Sequence, residues 1–272
     1  MPPSKKRKHA EPEKDDGRSY AEATYWDNRY ETQEGYHCWY YNFGDLLPLF
    51  EKAIGAEGLG EADILEIGCG DTPVVKGFAD YGDKKKNRRH LVGIDISANV
   101  VNALKATQST AQEVRYAIMD ATSLSFAPTS FDLVIDKGTI DALMCEKNLS
   151  KRDKNCSAVI SEAFRVLDNR SGVFMLISHM QPEGSEFQEF LENCLLPVLQ
   201  GYSDRSFSIE SHTGVEGRAA VHVVRCAARR EVRSSSRVGP APVTFSITSY
   251  SEDEDEDDDD DEEEEEDEEE EE

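Results

Sequence analysis

Between residues 62 and 178, short apolar runs rich in β-formers alternate with stretches of helical period. ADILEIG, HLVGIDI, VRYAIMD, FDLVIDK and GVFMLIS each read as a strand. A helix is expected from Ser97 to Thr107, and another from Asp153 to Leu167, where Val159, Ile160, Ala163, Phe164 and Leu167 recur at helical spacing. Strand and helix in alternation predict a parallel sheet covered on both faces. A further helical stretch, SEFQEFLENCLLPVL, leads to RSFSIES and AAVHVVRCA. These two are joined by a short loop containing Gly214 and Gly217, and they read as an antiparallel hairpin closing the sheet edge. The expected fold is α/β, a doubly wound seven-stranded sheet whose last two strands form an antiparallel hairpin.

The pattern fades at both ends. Residues 1–20 are polar and basic and are expected to be disordered; 21–228 form one domain; 229–251 read as a linker and 252–272 as a disordered acidic tail. Charge sharpens this division. The chain has 272 residues and a net charge of -26, but residues 252–272 are all Asp or Glu, which is 21 of the 56 acids. The remainder carries 35 acids against 30 bases, a net of -5, so the extreme charge belongs to an appendage. A run of acids repels nucleic acid, and it can keep a protein dissolved, dock a basic protein, or lie over basic patches such as KKKNRR at 84–89, itself expected to be a solvated loop.

Six scattered cysteines without a C-x-x-C pair signal neither a zinc site nor a disulfide framework. No secretory leader or membrane-length apolar window is visible, which predicts a soluble, cytoplasmic protein. Lys5, Lys6, Arg7 and Lys8 add a short basic cluster of the kind nuclear import receptors read. No solenoid-period repeat is present, and the composition suggests a monomer.

Candidate chemistry gathers at the strand ends. In ILEIGCGDTP, Gly68 and Gly70 follow the first strand and Pro73 suits the first turn of the next helix. In doubly wound sheets ligands bind beyond the carboxyl ends of the strands, where a glycine lets backbone approach closely. GIDIS ends in Asp95, a carboxylate able to take two hydrogen bonds from a ribose diol; Ser97 is expected to cap the following helix, freeing Asp95 for a ligand. Asp120, closing VRYAIMD, is placed to accept from an adenine amine. A dinucleotide fingerprint would want a third glycine where Pro73 stands. Glu66 would repel a pyrophosphate but suit a cofactor carrying an ammonium group, and S-adenosylmethionine fits better than NAD.

EIGCGDT, GIDIS, MDAT and FDLVIDKGTIDAL resemble the successive motifs of the seven-strand, Rossmann-like class I S-adenosylmethionine-dependent methyltransferases. The resemblance covers roughly Tyr25 to Ala227. YWDNRY, CWYYNFGDLLPLF and DKGTIDAL are similar, more narrowly, to the protein lysine methyltransferases acting on translation elongation factor 1-alpha, including the methyltransferase-like 13 type. The resemblance implies cofactor contacts from Trp26, Tyr30, Trp39 and Gly70, with Gly68 at the methionine moiety. It further implies Asp95 and Ile96 at the ribose and adenine edge, Asp120 and Ala121 at the adenine, and Lys137 nearby. Trp26 and Tyr30 are four apart on one helix face, and aromatic faces attract a sulfonium by cation–π interaction, worth about 0.5 to 2 kcal/mol.

The function implied is methylation of a lysine on elongation factor 1-alpha or a similar protein. The alternatives are a small-molecule methyltransferase, or a non-catalytic protein whose acidic tail is the working part. A lysine amine, with a free pKa of about 10.4, must lose a proton first. Asp136 and Asp141 are the nearest acceptors by sequence, Asp136 reading otherwise as a solvated strand-end acid; no catalytic residue is assigned. The absence of Asn-Pro-Pro-Tyr after the fourth strand argues against amide and adenine-amine substrates.

Overall fold

The computed structural model describes residues 19–32, 38–79, 81, 89–108, 114–213, 219–229 and 240–248. The basic amino-terminal cluster, residues 84–88, the hairpin loop with Gly214 and Gly217, most of the expected linker and the acidic tail lie outside them. No helix among the described residues is long and apolar enough to cross a membrane.

The chain opens with α1 (Ala23–Thr32), α2 (Phe43–Ile54) and α3 (Ala56–Leu59), then enters β1 (Ile64–Ile67), α4 (Val75–Phe78), β2 (Leu91–Asp95), α5 (Ala98–Thr107) and β3 (Val114–Ile118). It continues with β4 (Leu133–Lys137), α6 (Thr139–Met144), α7 (Leu149–Val166) and β5 (Val173–Ser178). One continuous rod follows, α8 (Ser185–Phe190), a π-helical turn (Leu191–Leu195) and α9 (Leu196–Gln200), and then β6 (Arg205–His212), β7 (Ala220–Ala228) and β8 (Val243–Thr248). The sheet has eight strands in the order β3-β2-β1-β4-β5-β7-β6-β8. β1 to β5 are parallel to one another, and β7 runs antiparallel to both β5 and β6.

Both faces are covered, as continuous apolar strands require. On one face β1 contributes Leu65 and Ile67, packed with Val159, Ile160 and Phe164 of α7 and Phe187 and Phe190 of α8. On the other, Ile64 and Ile135 meet Leu46 and Phe50 of α2, Phe78 of α4 and Val101 of α5.

The eighth strand corrects the seven-strand expectation and lies inside the segment read as linker. VTFSIT alternates apolar and polar residues, the period of a strand, but two prolines precede it and its side chains are largely exposed. It pairs in parallel with β6, so the hairpin is not the sheet edge. α7 begins at Leu149, four residues before the expected start, capped by Asn148, whose side chain accepts from Lys151 N–H. Arg89, expected in a solvated basic loop, is buried: its guanidinium donates to the carbonyls of Leu59, Phe78 and Tyr81.

Candidate functional site

The carboxyl ends of β1 to β5 meet the amino-terminal segment along one edge of the sheet. After β1 the chain turns through Gly68 (φ +58°) and Gly70 (φ +56°), both in the left-handed region that a side chain disfavours. A Cβ on Gly68 would stand 1.8 Å from Thr139 Oγ1, and one on Gly70 3.1 Å from the Tyr30 hydroxyl. The turn is therefore shaped by its neighbours.

Glu66 has a different task from the one expected. It is fully buried, and its two oxygens accept from Val74 N–H (3.1 Å) and Val75 N–H (2.8 Å), securing the start of α4. Burial pushes its carboxyl up to about 7. The Lys137 ammonium draws it the other way without cancelling the burial. Pro73 precedes this helix, whose N-cap is Val74.

Asp95 anchors the glycine turn: one oxygen accepts from Gly70 N–H (3.0 Å), the other from Ser97 N–H (2.9 Å), and burial raises its pKa. Ser97 does not cap α5 through its side chain. Its hydroxyl donates instead to Asp27 of α1 (2.6 Å), and Asn99 Nδ2 donates to the Asp27 carbonyl, so α1 is tied to the start of α5. Ile96 and Ile118 stand exposed at the ends of β2 and β3, where an apolar ligand face would cover them. Asp120 is exposed, with one oxygen taken by the amide and hydroxyl of Thr122; Ala121 beside it packs on the core.

α1 carries Trp26 and Tyr30 stacked at 6.0 Å, and the indole N–H of Trp26 donates to the Tyr20 carbonyl. A residue missed in the sequence lies between the aromatics. The Arg29 guanidinium is 5.8 Å from the Trp26 ring and 5.3 Å from that of Trp39, so the cation over these indoles belongs to the protein itself.

Residues 39–41 strap the edge from β4 to β7. Lys137 Nζ donates to the Trp39 carbonyl (3.3 Å), the Tyr40 hydroxyl to Asp141 Oδ2 (2.5 Å) and the Tyr41 hydroxyl to the Ala219 carbonyl (2.8 Å). Tyr40 adopts φ +62°, a left-handed backbone that costs a non-glycine residue about 1 to 2 kcal/mol and persists where contacts on all sides enforce it.

The two acids considered as proton acceptors both accept hydrogen bonds from the protein, Asp136 through Oδ1 alone, its Oδ2 having no partner among the described residues. Asp136, fully buried rather than solvated, accepts from Thr139 N–H and Ile140 N–H at the start of α6, and burial raises it to about 8. Asp141 receives Tyr40, the Ser178 hydroxyl (2.5 Å), His179 N–H (3.1 Å) and the His179 ring, whose Nδ1 is 3.2 Å away. Burial alone would raise Asp141, but the hydrogen bonds and charge of His179, then Ser178 and Tyr40, outweigh it and hold its pKa below the usual value. His179, the first residue after β5, carried no motif signal; only folding brings it to Asp141, 38 residues earlier.

A methyltransferase-domain family model matches residues 65–176, spanning β1 to β5 and hence the glycine turn, Asp95, Asp120 and Lys137. The chain carries a class I S-adenosylmethionine-dependent methyltransferase domain. The methyltransferase domain has distant relatives. It is 30% identical over 170 residues to the human eEF1A lysine and N-terminal methyltransferase, covering 60% of this chain and 22% of that protein. It is 31% identical over 140 residues to the bovine EEF1A lysine methyltransferase 4, covering 49% of each. The chain thus spans less than half the length of either. Among solved structures, the phosphoethanolamine N-methyltransferase 1 of Haemonchus contortus aligns with a TM-score of 0.48 at 12% identity, over 78% of this chain and 50% of that one.

The methyltransferase class uses S-adenosylmethionine, and the residues present fit it. Gly68 and Gly70 are left-handed and carry no side chains, Asp95 borders their turn, and exposed Ile96 and Ile118 offer apolar cover at the adjoining strand ends.

Proposed function

We propose that this protein transfers a methyl group from S-adenosylmethionine to a lysine amine of a protein substrate, elongation factor 1-alpha or a similar protein. The observation that carries the reading is the joining of three motifs at one edge: the Gly68–Gly70 turn held by Asp95, α1 with Arg29 between two indoles, and the strap bonded to Asp141. The named activities of the two mammalian relatives support the substrate class.

S-adenosylmethionine supplies a methyl group already activated on sulfur; the protein has to align an amine with it and exclude water. In this reading Gly68 and Gly70 admit the methionine moiety, Asp95 and Ile96 hold the ribose and adenine edge, and Asp120 with Ala121 flanks the adenine. Tyr30 lies against Gly70, and Trp26, Trp39 and Lys137 complete the wall. Arg29 presents a guanidinium fork suited to the cofactor's carboxylate.

The test is transfer of labelled methyl to purified elongation factor 1-alpha, with Asp95→Ala as control. Labelling lost in the variant supports the reading. Cofactor binding by calorimetry without labelling discards the substrate, and failure to bind the cofactor discards the reading as a whole.

A further inference from the structure

Building on the methyl-transfer reading, we propose that the His179 imidazole, backed by Asp141, takes the proton from the amine that receives the methyl group, and that Glu186 first holds this amine as an ammonium. The first support is position. The glycine turn ends β1, β4 is the neighbour of β1, and β5 is the next strand outward. Gly138 N–H donates to the Ile177 carbonyl at 3.1 Å, fastening the turn after β4 beside the end of β5. His179 thus follows two strand spacings from the glycine turn, about 10 Å, on the side away from Asp95 and Asp120. An amine approaching the methionine end from there meets His179.

The second support is geometry. A proton acceptor works best when a third group fixes its orientation. Asp141 does this through Nδ1 at 3.2 Å, and it is itself immobilised by Tyr40, Ser178 and the His179 backbone. The other nitrogen, Nε2, points to Glu186 Oε2 at 3.2 Å. The His179 side chain is 46% exposed and that of Glu186 66%, whereas that of Asp141 is 8% exposed. One end of the pair is therefore fixed and the other exchangeable.

An arriving ammonium competes for Glu186, and Nε2, once its own proton has passed to water, becomes an acceptor facing the amine. The amine proton moves to Nε2 and the freed nitrogen lone pair forms the N–C bond. As it does so the S–C bond breaks, and its electron pair stays on sulfur. The imidazolium left behind is stabilised by Asp141 and releases its proton to solvent through its exposed edge. The groups facing His179 are Asp141 of α6, Glu186 of α8 and the Tyr40 hydroxyl of the strap, with His222 of β7 close to Asp141 and held neutral by burial. The hydrogen bond that the ring gives to Asp141, with the charges of Asp141 and Glu186, holds His179 above the ordinary histidine value.

The experiment is an NMR titration of the His179 ring, assigned with His179→Gln, in full-length protein saturated with S-adenosylhomocysteine. n-Butylamine serves as the lysine side-chain probe and sodium chloride as the ionic-strength control. Butylamine is expected to lower the His179 midpoint, because a nearby cation disfavours the imidazolium, and Glu186→Gln to abolish that shift. In a pH–rate series His179→Gln should lose the inflection at the His179 midpoint while Km for S-adenosylmethionine holds; a purely structural role would lower kcat evenly across pH. A His179 midpoint indifferent to butylamine overturns the proposal alone. Failure of S-adenosylhomocysteine to bind in calorimetry overturns the methyl-transfer reading as well.

Discussion

Gly68 and Thr139 are packed so closely that a Cβ on the glycine would stand 1.8 Å from the threonine Oγ1, and that hydroxyl is already donating to the Ile67 carbonyl at 3.1 Å. The end of β1 and the start of α6 are thereby joined across the turn that the cofactor motif occupies. Gly68→Ala combines a left-handed backbone with overpacking and is expected to cost about 2 to 4 kcal/mol. Thr139→Gly in the same chain should return part of it. Urea unfolding of the single and double variants checks this; a Gly68→Ala protein as stable as the parent would contradict the packing described.

Tyr40 links the strap to the buried Asp141, and Tyr40→Phe leaves that carboxylate one donor short. Hydrogen bonds to charged groups contribute about 1.5 to 3 kcal/mol, so a loss within that range is expected. Because Asp141 is held below its ordinary value, the bond's contribution is present above the unfolded carboxylate pKa and fades as pH falls through the folded one. The difference between parent and variant should shrink on acidification, measurable by denaturant unfolding at several pH values.

His222 is enclosed in the sheet, with Nδ1 2.8 Å from the Ser211 hydroxyl, Nε2 2.9 Å from the Met180 carbonyl and Phe187 stacked on its ring at 3.8 Å. Burial lowers its pKa to about 4. The unfolded chain protonates near 6.5 and the folded one only near 4, so stability drains away as pH falls between those values, by about 3 kcal/mol in total. His222→Gln should flatten the stability profile in this window, even if its absolute stability is lower.

Ser97 ties α5 to α1 through Asp27 rather than capping α5. Ser97→Ala should leave helix content unchanged and loosen the helix that carries Trp26, Arg29 and Tyr30. A loss of about 1 kcal/mol, or roughly fivefold in affinity for S-adenosylmethionine, is expected by calorimetry. Unchanged affinity would show that α1 is held in place without this bond.

Asp136 is raised to about 8 by burial, so folding favours its protonated form, and its contribution is lost as pH rises from the unfolded carboxylate value through 8. Asp136→Asn, which cannot ionise, should gain on the parent steadily between pH 5 and 8. Parallel stability profiles for the two proteins would refute the shift.

The sequence by itself determined the five parallel strands, the helices between them, the hairpin and the acids and glycines at the strand ends. Apolar period and turn residues are local signals, and a buried parallel strand declares itself as an unbroken apolar run. β8 has the right period in VTFSIT, but its short length, exposed side chains and preceding prolines resemble a linker, and pairing with β6 alone makes it a strand. Tertiary structure alone decided the direction of each polar side chain: Glu66 to α4, Ser97 to Asp27, Arg29 between two indoles, Asp141 to Tyr40 and His179. Local periodicity says which face a residue occupies, whereas a buried polar group takes whatever partner the packing of distant segments delivers, and that partner can lie a hundred residues away.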